Sequence, residues 1–484
     1  MHIFSQGRSN YWPLGYASYS VDTNLGGMTV EYPNNSFYLY KHPRWLYASR
    51  ANAAISNDTG AILFYTNGVY VANAKDDTMK NGSGLNPSAY TNTYYIGGLF
   101  IPQGNIIIPK PNSDSLYFLF HETIDFPLPL NRPRYLYCST IDMSLDANRG
   151  EVIIKNEILI DDTLFVGGIT ACKHANGRDW WVLVPESRNQ LQLGYYVLNI
   201  QPDTIIIASH LNFPVDSAQI GQACFSPDGS KLILSYIQGC AFFDFDRCSG
   251  TLTLIDTIVY PTNSFSIGAS VSPNSRYAYV NLDAINILQY DLQAANIPAS
   301  EVTVAVYDGF QAPLGINTVF VLHQIGVDGK IYITTSTGTF AMHAIENPDS
   351  GGLACNVNQH AIILPRYNFS IPNFPNYDLG VLPGSPCDTL GLSLLSPTVE
   401  RLGVRLFPNP ANNSFYIKYN IPTNENLLFV LYDSYGNEVL RKNLYGTFKN
   451  LLVHTEQLNN GIYFWRVTSN KNERRESGKV VILR

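Results

Sequence analysis

A pattern that returns about every 50 residues limits what this chain can fold into. The segments ACKHANGRDWWVLV from Ala171, ACFSPDGSKLILSY from Ala223, ASVSPNSRYAYVNL from Ala269 and HQIGVDGKIYITTS from His323 lie over one another. Each reads as a small or apolar run, a polar turn with Asn or Asp, and a returning apolar strand. Their turns sit at Asn176-Gly177, Asp228-Gly229, Asn274-Ser275 and Asp328-Gly329, which are 52, 46 and 54 residues apart. Weaker copies come earlier, in SNDTGAILFY near Gly60 and PKPNSDSLYFLF near Ser113. Within one unit the strands can be counted as QACFS, KLILSY, CAFFDFD and TLTLIDTIVY, joined by PDG, QG and RCSG. Four-stranded units at this spacing pack radially as β-propeller blades, because no single sheet can bury its own faces. Six turns, with strand material left in YWPLGYASYSV and between Ala361 and Leu382, predict seven blades (six to eight), the last closed by both ends of the propeller.

The residue balance points the same way. Only 14% of residues are charged, while 32 Tyr, 36 Gly and 28 Pro favour short strands and tight turns over helices. A net charge of -7 without a basic stripe argues against a nucleic-acid surface. No apolar run reaches the length of a transmembrane segment. The start, MHIFSQGRSNYWPLGY, has neither a basic region nor an apolar core, so an exported chain is expected to have lost its signal peptide or been given the wrong start. Seven cysteines (Cys138, Cys172, Cys224, Cys240, Cys248, Cys355, Cys387) include no C-x-x-C pair, so a zinc site is not expected. If a disulfide forms, Cys355 with Cys387 is the expected pair, both being flanked by Gly or Pro in the closing region.

FSPDGSKLILSY followed by FDFDRCSGTL resembles the blades of lactonase-like and WD40-like propellers, which implies a fold and not an activity. LFYTNGVYVANAKDDTMKNGSGL, the ACKHANGRDWWVLV segment and MHAIENPDSGGLAC are similar to propellers in large secreted surface proteins of Bacteroidetes.

Past residue 386 the period stops. CDTLGLSLLSPTVER reads as a linker over 387–402, dividing a propeller at 1–386 from a module at 403–484. In that module Pro408 and Pro410 fix the backbone around Asn409, and two strands flank a DSYGN turn. GIYFWRVTS and GKVVILR then complete a unit the size of an immunoglobulin-like sandwich. The residues Pro408, Asn409, Pro410, Gly436, Gly461, Tyr463 and Lys479 resemble the type A C-terminal sorting domain of the type IX secretion system. That resemblance implies export through the periplasm, recognition by the secretion machinery, removal of the tail by a sortase-like peptidase, and anchoring to surface lipopolysaccharide. Over Lys471–Arg484, five basic residues (Lys471, Arg474, Arg475, Lys479, Arg484) face Glu473 and Glu476. A basic edge hairpin of this kind is expected to dock by β-strand addition or to an acidic receptor.

Candidates for chemistry in the propeller are His174 and Arg178 in CKHANGRD, His121 and Glu122 in LFHET, and His323 in VLHQI. Such residues, gathered from several blades around a channel, could bind a metal or act as acid and base. They could equally cap turns, and no nucleophile elbow, H-E-x-x-H, phosphate loop or calcium loop accompanies them. Asp244, Asp246 and Asp291 read as turn residues. Of Trp180 and Trp181, one is expected to pack between blades and the other to be partly exposed. The sequence therefore favours a secreted binding propeller for a glycan or protein, without cofactor or metal. The alternative is a secreted hydrolase or lyase working at the channel, for which several of the five candidates would have to converge in one mouth.

Overall fold

The computed structural model describes residues 7–388 and 404–483, apart from 20–21, 127–130, 190–191, 216–219, 261–266, 420–425, 446–449 and 470–474. The linker expected at 387–402 lies almost wholly outside the described residues, as do Lys471, Glu473, Arg474 and Arg484. The chain divides into two compact units, Met1–Leu390 and Gly391–Arg484.

The first unit is an all-β propeller of seven blades. Blade 1 has three strands, Tyr11–Gly15, Gly27–Glu31 and Tyr38–Lys41. Six blades of four antiparallel strands follow, with first strands Ala53–Ser56, Asn105–Pro109, Thr170–Lys173, Ile220–Phe225, Ala269–Val271 and His323–Ile325 in blades 2 to 7; a parallel Lys80–Glu151 pair joins blades 2 and 3 into one sheet, and Val166–Gly167 adds a short parallel strand inside blade 5. Blade 5 has the four strands counted in the sequence, Ile220–Phe225, Lys231–Tyr236, Gly239–Phe245 and Leu252–Val259. The repeated turns share a conformation. Gly177, Gly229 and Gly329 take φ of 72°, 74° and 80°, which glycine adopts without strain, and Ser275 takes 61° at the same place. These turns lie at the ends of the inner strands, at what we call the turn mouth of the ring. The loops leading into the inner strands form the far mouth.

Closure joins the two ends of the propeller, but by another route than ladder pairing. Among the described residues, the strands of blade 1 pair only with one another, and residues 369–382 form no strand. That stretch, which we call the strap, starts beside blades 1 and 2, where Phe374 meets Trp12 and the Asn373 amide reaches Asn52 O, and then crosses to blades 3, 5 and 4 through Tyr377, Asn376 and Leu382. Asn368 Oδ1 accepts the Gly15 amide at 3.0 Å, and Phe374 packs 6.2 Å from Trp12. The seam between blades 1 and 7 is aromatic, with Tyr332 edge-on to Trp12 at 5.7 Å and stacked on Phe37 at 4.9 Å.

Cys387 bonds Cys248 rather than Cys355, with Cα atoms 5.5 Å apart. Cys355 is fully buried beside Tyr279 and Ile287, where its distance from the strap leaves it a core thiol. The disulfide fixes the end of the strap to the last turn of blade 5 and closes a span of 139 residues. Such a bond persists in an oxidising compartment. Reduction, or Cys387→Ser, is expected to cost about 2–4 kcal/mol. Melting curves with and without reductant test this, and equal midpoints would show that the bond holds nothing the strap does not already hold.

The second unit is a seven-stranded sandwich. Arg405–Phe407, Ser414–Lys418 and Asn450–His454 make one sheet, and Glu438–Tyr445, Asn426–Tyr432, Gly461–Ser469 and Arg475–Ile482 the other. Alternate residues turn inward, so Phe415, Ile417, Phe429, Leu431, Trp465, Val467 and Val480 share one core.

Candidate functional site

The five candidate side chains lie in separate networks. His121 ends the second strand of blade 3, Leu116–His121, and is fully buried. Its ring nitrogens are hydrogen-bonded to Asn86 Oδ1 and Ser139 Oγ, both at 2.8 Å. Burial pushes its pKa down to about 3, so the ring is neutral. Glu122, also fully buried, accepts the Gly167 amide at 2.6 Å through Oε1, while Oε2 has no partner. Desolvation raises its pKa well above the usual carboxylate value. His323, on the inner strand of blade 7, is hydrogen-bonded to Ser270 Oγ at 2.9 Å and Asn281 Oδ1 at 2.7 Å. Burial pushes it, too, down to about 3.

His174 and Arg178 belong to the turn of blade 4. His174 stacks on Trp181 at 5.2 Å and accepts the Asn176 amide, while Arg178 forks onto Asp179. Neither tryptophan is exposed, contrary to expectation. Trp181 is 4% exposed because its ring lies flat on Gly250, where an added Cβ would stand 2.6 Å from it, and its indole N–H donates to Arg247 O. Asp246 accepts the Cys248 amide and Asp291 pairs with Arg276, as turn residues do.

A cavity of about 300 Å³ opens at the turn mouth among blades 5, 6 and 7, walled by Phe225, Val271, Ile325, Phe374 and Tyr377, with His323 deep in it. Below it, amide side chains cross the axis of the ring. Asn373, at the middle of the strap, donates through Nδ2 to Asn105 O and Ile169 O at 3.0 and 2.9 Å and accepts from Gln103 Nε2 at 3.1 Å. Gln222 donates to His323 O and accepts the amides of Ala269 and His323. Tyr377 donates to Ile107 O at 2.7 Å, and Asn376 to Pro227 O at 2.8 Å. These side chains supply donors to the carbonyls of Asn105, Ile107, Ile169, Pro227 and His323.

The far mouth is aromatic. Tyr90, Tyr94, Phe100, Phe369, Tyr47 and Tyr16 form a chain of ring contacts 4.5–6.1 Å apart. Beside them Trp45 and Tyr19 stack at 5.7 Å and 20° while remaining 70% and 49% exposed. Tyr95, 58% exposed, and Tyr19 both lie within electrostatic reach of Tyr70. None of these residues belongs to the repeat; only the density of Tyr in the loops at 16–19, 45–47 and 90–95 hints at them in the sequence.

In the C-terminal unit, the expected motif residues serve the last strand. Asn409 donates through Nδ2 to Lys479 O at 3.1 Å and accepts the Val481 amide at 2.9 Å. Ala411 continues the pairing, donating to Val481 O and accepting from Leu483 N. Pro408 and Pro410, each preceded by a cis peptide, flank Asn409. Gly436, at φ 85°, completes the turn whose Asp433 carboxylate accepts the Tyr435 and Asn437 amides. Gly461 opens the aromatic strand, and Tyr463 is buried with its hydroxyl on Asn459 O. The outer edge of the last strand is thus occupied from Lys479 to Leu483, and it has no room there for an added strand.

Residues 405–483 match the secretion system C-terminal sorting domain family. No curated protein matches the chain. Among solved structures, a functionally unknown protein from Desulfotomaculum acetoxidans is 9% identical, with 75% of this chain and 99% of that one covered and a TM-score of 0.38. Hsv2 of Kluyveromyces lactis is 9% identical over 69% and 92% of the two chains, with a TM-score of 0.36. The Cps50 (Swd1) β-propeller domain of Myceliophteria thermophila is 8% identical over 67% and 93%, also with a TM-score of 0.36. The chain therefore carries, behind its propeller, a type IX sorting tail that marks it for export.

Proposed function

We propose that the tail delivers this propeller to the cell surface or the medium, where its far mouth binds a polysaccharide. On that route a sortase-like peptidase removes the tail and surface lipopolysaccharide receives the propeller. The observation that carries the binding reading is the exposed Trp45–Tyr19 stack on a bed of packed rings. Large aromatic rings left in water cost solvation, and a contiguous exposed patch marks an interaction site. Rings locked by neighbours offer flat apolar area at little entropic cost, while their hydroxyls and indole N–H meet the polar rim of a sugar. The hydrolytic alternative needs acid, base and any metal ligand to face one volume. The dispersal of His121 and Glu122, His174 and Arg178, and His323 over separate networks supports binding instead.

Glycan arrays probed with the full chain and with Trp45→Ala test the reading. Wild type is expected to retain a polysaccharide that the variant binds at least about tenfold more weakly, a loss of about 1.4 kcal/mol, with an unchanged melting temperature. Equal binding by the two proteins, or no glycan bound by wild type, would refute it.

A further inference from the structure

We propose that a second, basic pocket at the turn mouth, walled by Arg8, Lys110, Lys173 and Arg178, binds the phosphate or sulfate group of a small anionic ligand. This inference is independent of polysaccharide binding, which concerns the opposite mouth. The pocket encloses about 190 Å³, and its lining includes four cations and no carboxylate. In a protein of net charge -7, that is a local inversion of sign.

Its cations come from three places in the ring. Arg8 lies beside the turn of blade 2, where its carbonyl accepts the Ser56 amide at 2.9 Å. Lys110 follows the inner strand of blade 3, and Lys173 and Arg178 bracket the turn of blade 4. Trp180 and Tyr377, both buried, complete the lining. Pro109 and Pro111 hold the backbone on either side of Lys110 at fixed φ.

The carboxylates near this group stand at its rim, where Asp58 pairs with Arg8, Asp179 pairs with Arg178, and Asp179 and Asp378 lie within electrostatic reach of Lys173. Arg8 gives one nitrogen to Asp58 at 2.7 Å, and its buried Nη1 has no partner among the described residues. Arg178 is held by Asp179. Lys110 and Lys173 make no ion pair among the described residues; Lys173 Nζ rests 4.5 Å over the Trp180 ring and 3.4 Å from Gly177 O. Burial, followed by repulsion from Arg8, pushes Lys173 down to about 8, so its charge is held against a cost that an anion would relieve. Converging cations with unused donors and a partly desolvated floor suit a tetrahedral oxyanion, which accepts several charge-assisted hydrogen bonds at once.

Calorimetry of the full chain with glucose 6-phosphate, glucose 6-sulfate, inorganic phosphate and glucose, at low salt, tests the site. The three anions are expected to bind and glucose is not. Lys173→Gln and Lys110→Gln should each weaken anion binding by about tenfold or more, and Lys173→Arg should restore it. Lys231→Gln, at an ion pair with Asp244 outside the pocket, should change nothing. Tighter binding of an ester than of free phosphate supports the site and assigns it to a substituted sugar; equal binding supports it and assigns it to the free ion. The proposal fails if no anion binds, or if folded Lys173→Gln and Lys110→Gln proteins bind as wild type does.

Discussion

The Asn373→Leu variant is expected to lose about 2–6 kcal/mol of stability, because leucine fills the space but takes the side-chain donor from two buried carbonyls. Those groups are the carbonyls of Asn105, in blade 3, and Ile169, just before blade 4, while Gln103 Nε2 loses Asn373 Oδ1 but keeps Ala223 O at 2.9 Å. Each orphan costs about 1–3 kcal/mol. The isosteric Asn373→Asp variant separates shape from hydrogen bonding. A carboxylate can accept from Gln103 but cannot donate to two carbonyls, so it should be at least as damaging as leucine. Urea titrations of the three proteins decide the matter. A midpoint for Asn373→Asp close to wild type would mean that the strap is held by its apolar residues, Ile371 and Phe374, and that the amide is incidental.

Acid should weaken the propeller well above the range where carboxylates titrate. His121, His323 and His343 are all buried and pushed down to about 3 from 6.5, so each is neutral when folded and protonated when unfolded between those limits. For a depressed histidine the unfolded chain binds the extra proton, so stability is complete above pH 6.5 and is lost as pH falls toward 3. At pH 5 each site contributes about 2 kcal/mol of loss, or about 6 kcal/mol for three. Glu122, raised well above the carboxylate range, and Asp125, raised to about 6, both by burial, have the opposite sign and offset part of this. Denaturant midpoints at pH 7 and pH 5 should therefore fall in wild type, fall less in His323→Gln, and fall more in Glu122→Gln, which lacks the offset. If Glu122→Gln were less acid-sensitive than wild type, the charge states assigned to this core would be wrong.

What the sequence made legible was whatever repeats. The turns at Gly177, Gly229, Ser275 and Gly329 share one backbone geometry, so their residue types recur and reveal the blades. The tail was legible for a related reason: Asn409, Gly436 and Tyr463 each meet a fixed local demand, a strand edge, a left-handed turn and a buried ring. The strap was not legible, because NFPNYD has no period and acts through side-chain amides and a tyrosine hydroxyl on carbonyls 149 to 270 residues away in sequence. Cys248 was passed over for Cys355 because pairing depends on where the strap ends, which spacing does not encode. Lys110 and Lys173 left a signal that went unread: both stand at the junction of an inner strand with its turn, in consecutive blades, and the repeat alone brings them to one mouth.

The guarded last strand of the tail bears on how such cargo survives its journey. An open sheet edge on every copy of an exported chain would be a template for fibrous association. Here one margin of the larger sheet is capped by Asn409 and Ala411. At the other margin, Glu438–Tyr445, the exposed residues Glu438, Arg441 and Lys442 place charge where a neighbouring copy would have to pair. A sheet protected in this way can be presented in many copies as a finished surface, and the outward journey does not then depend on keeping the tail dilute.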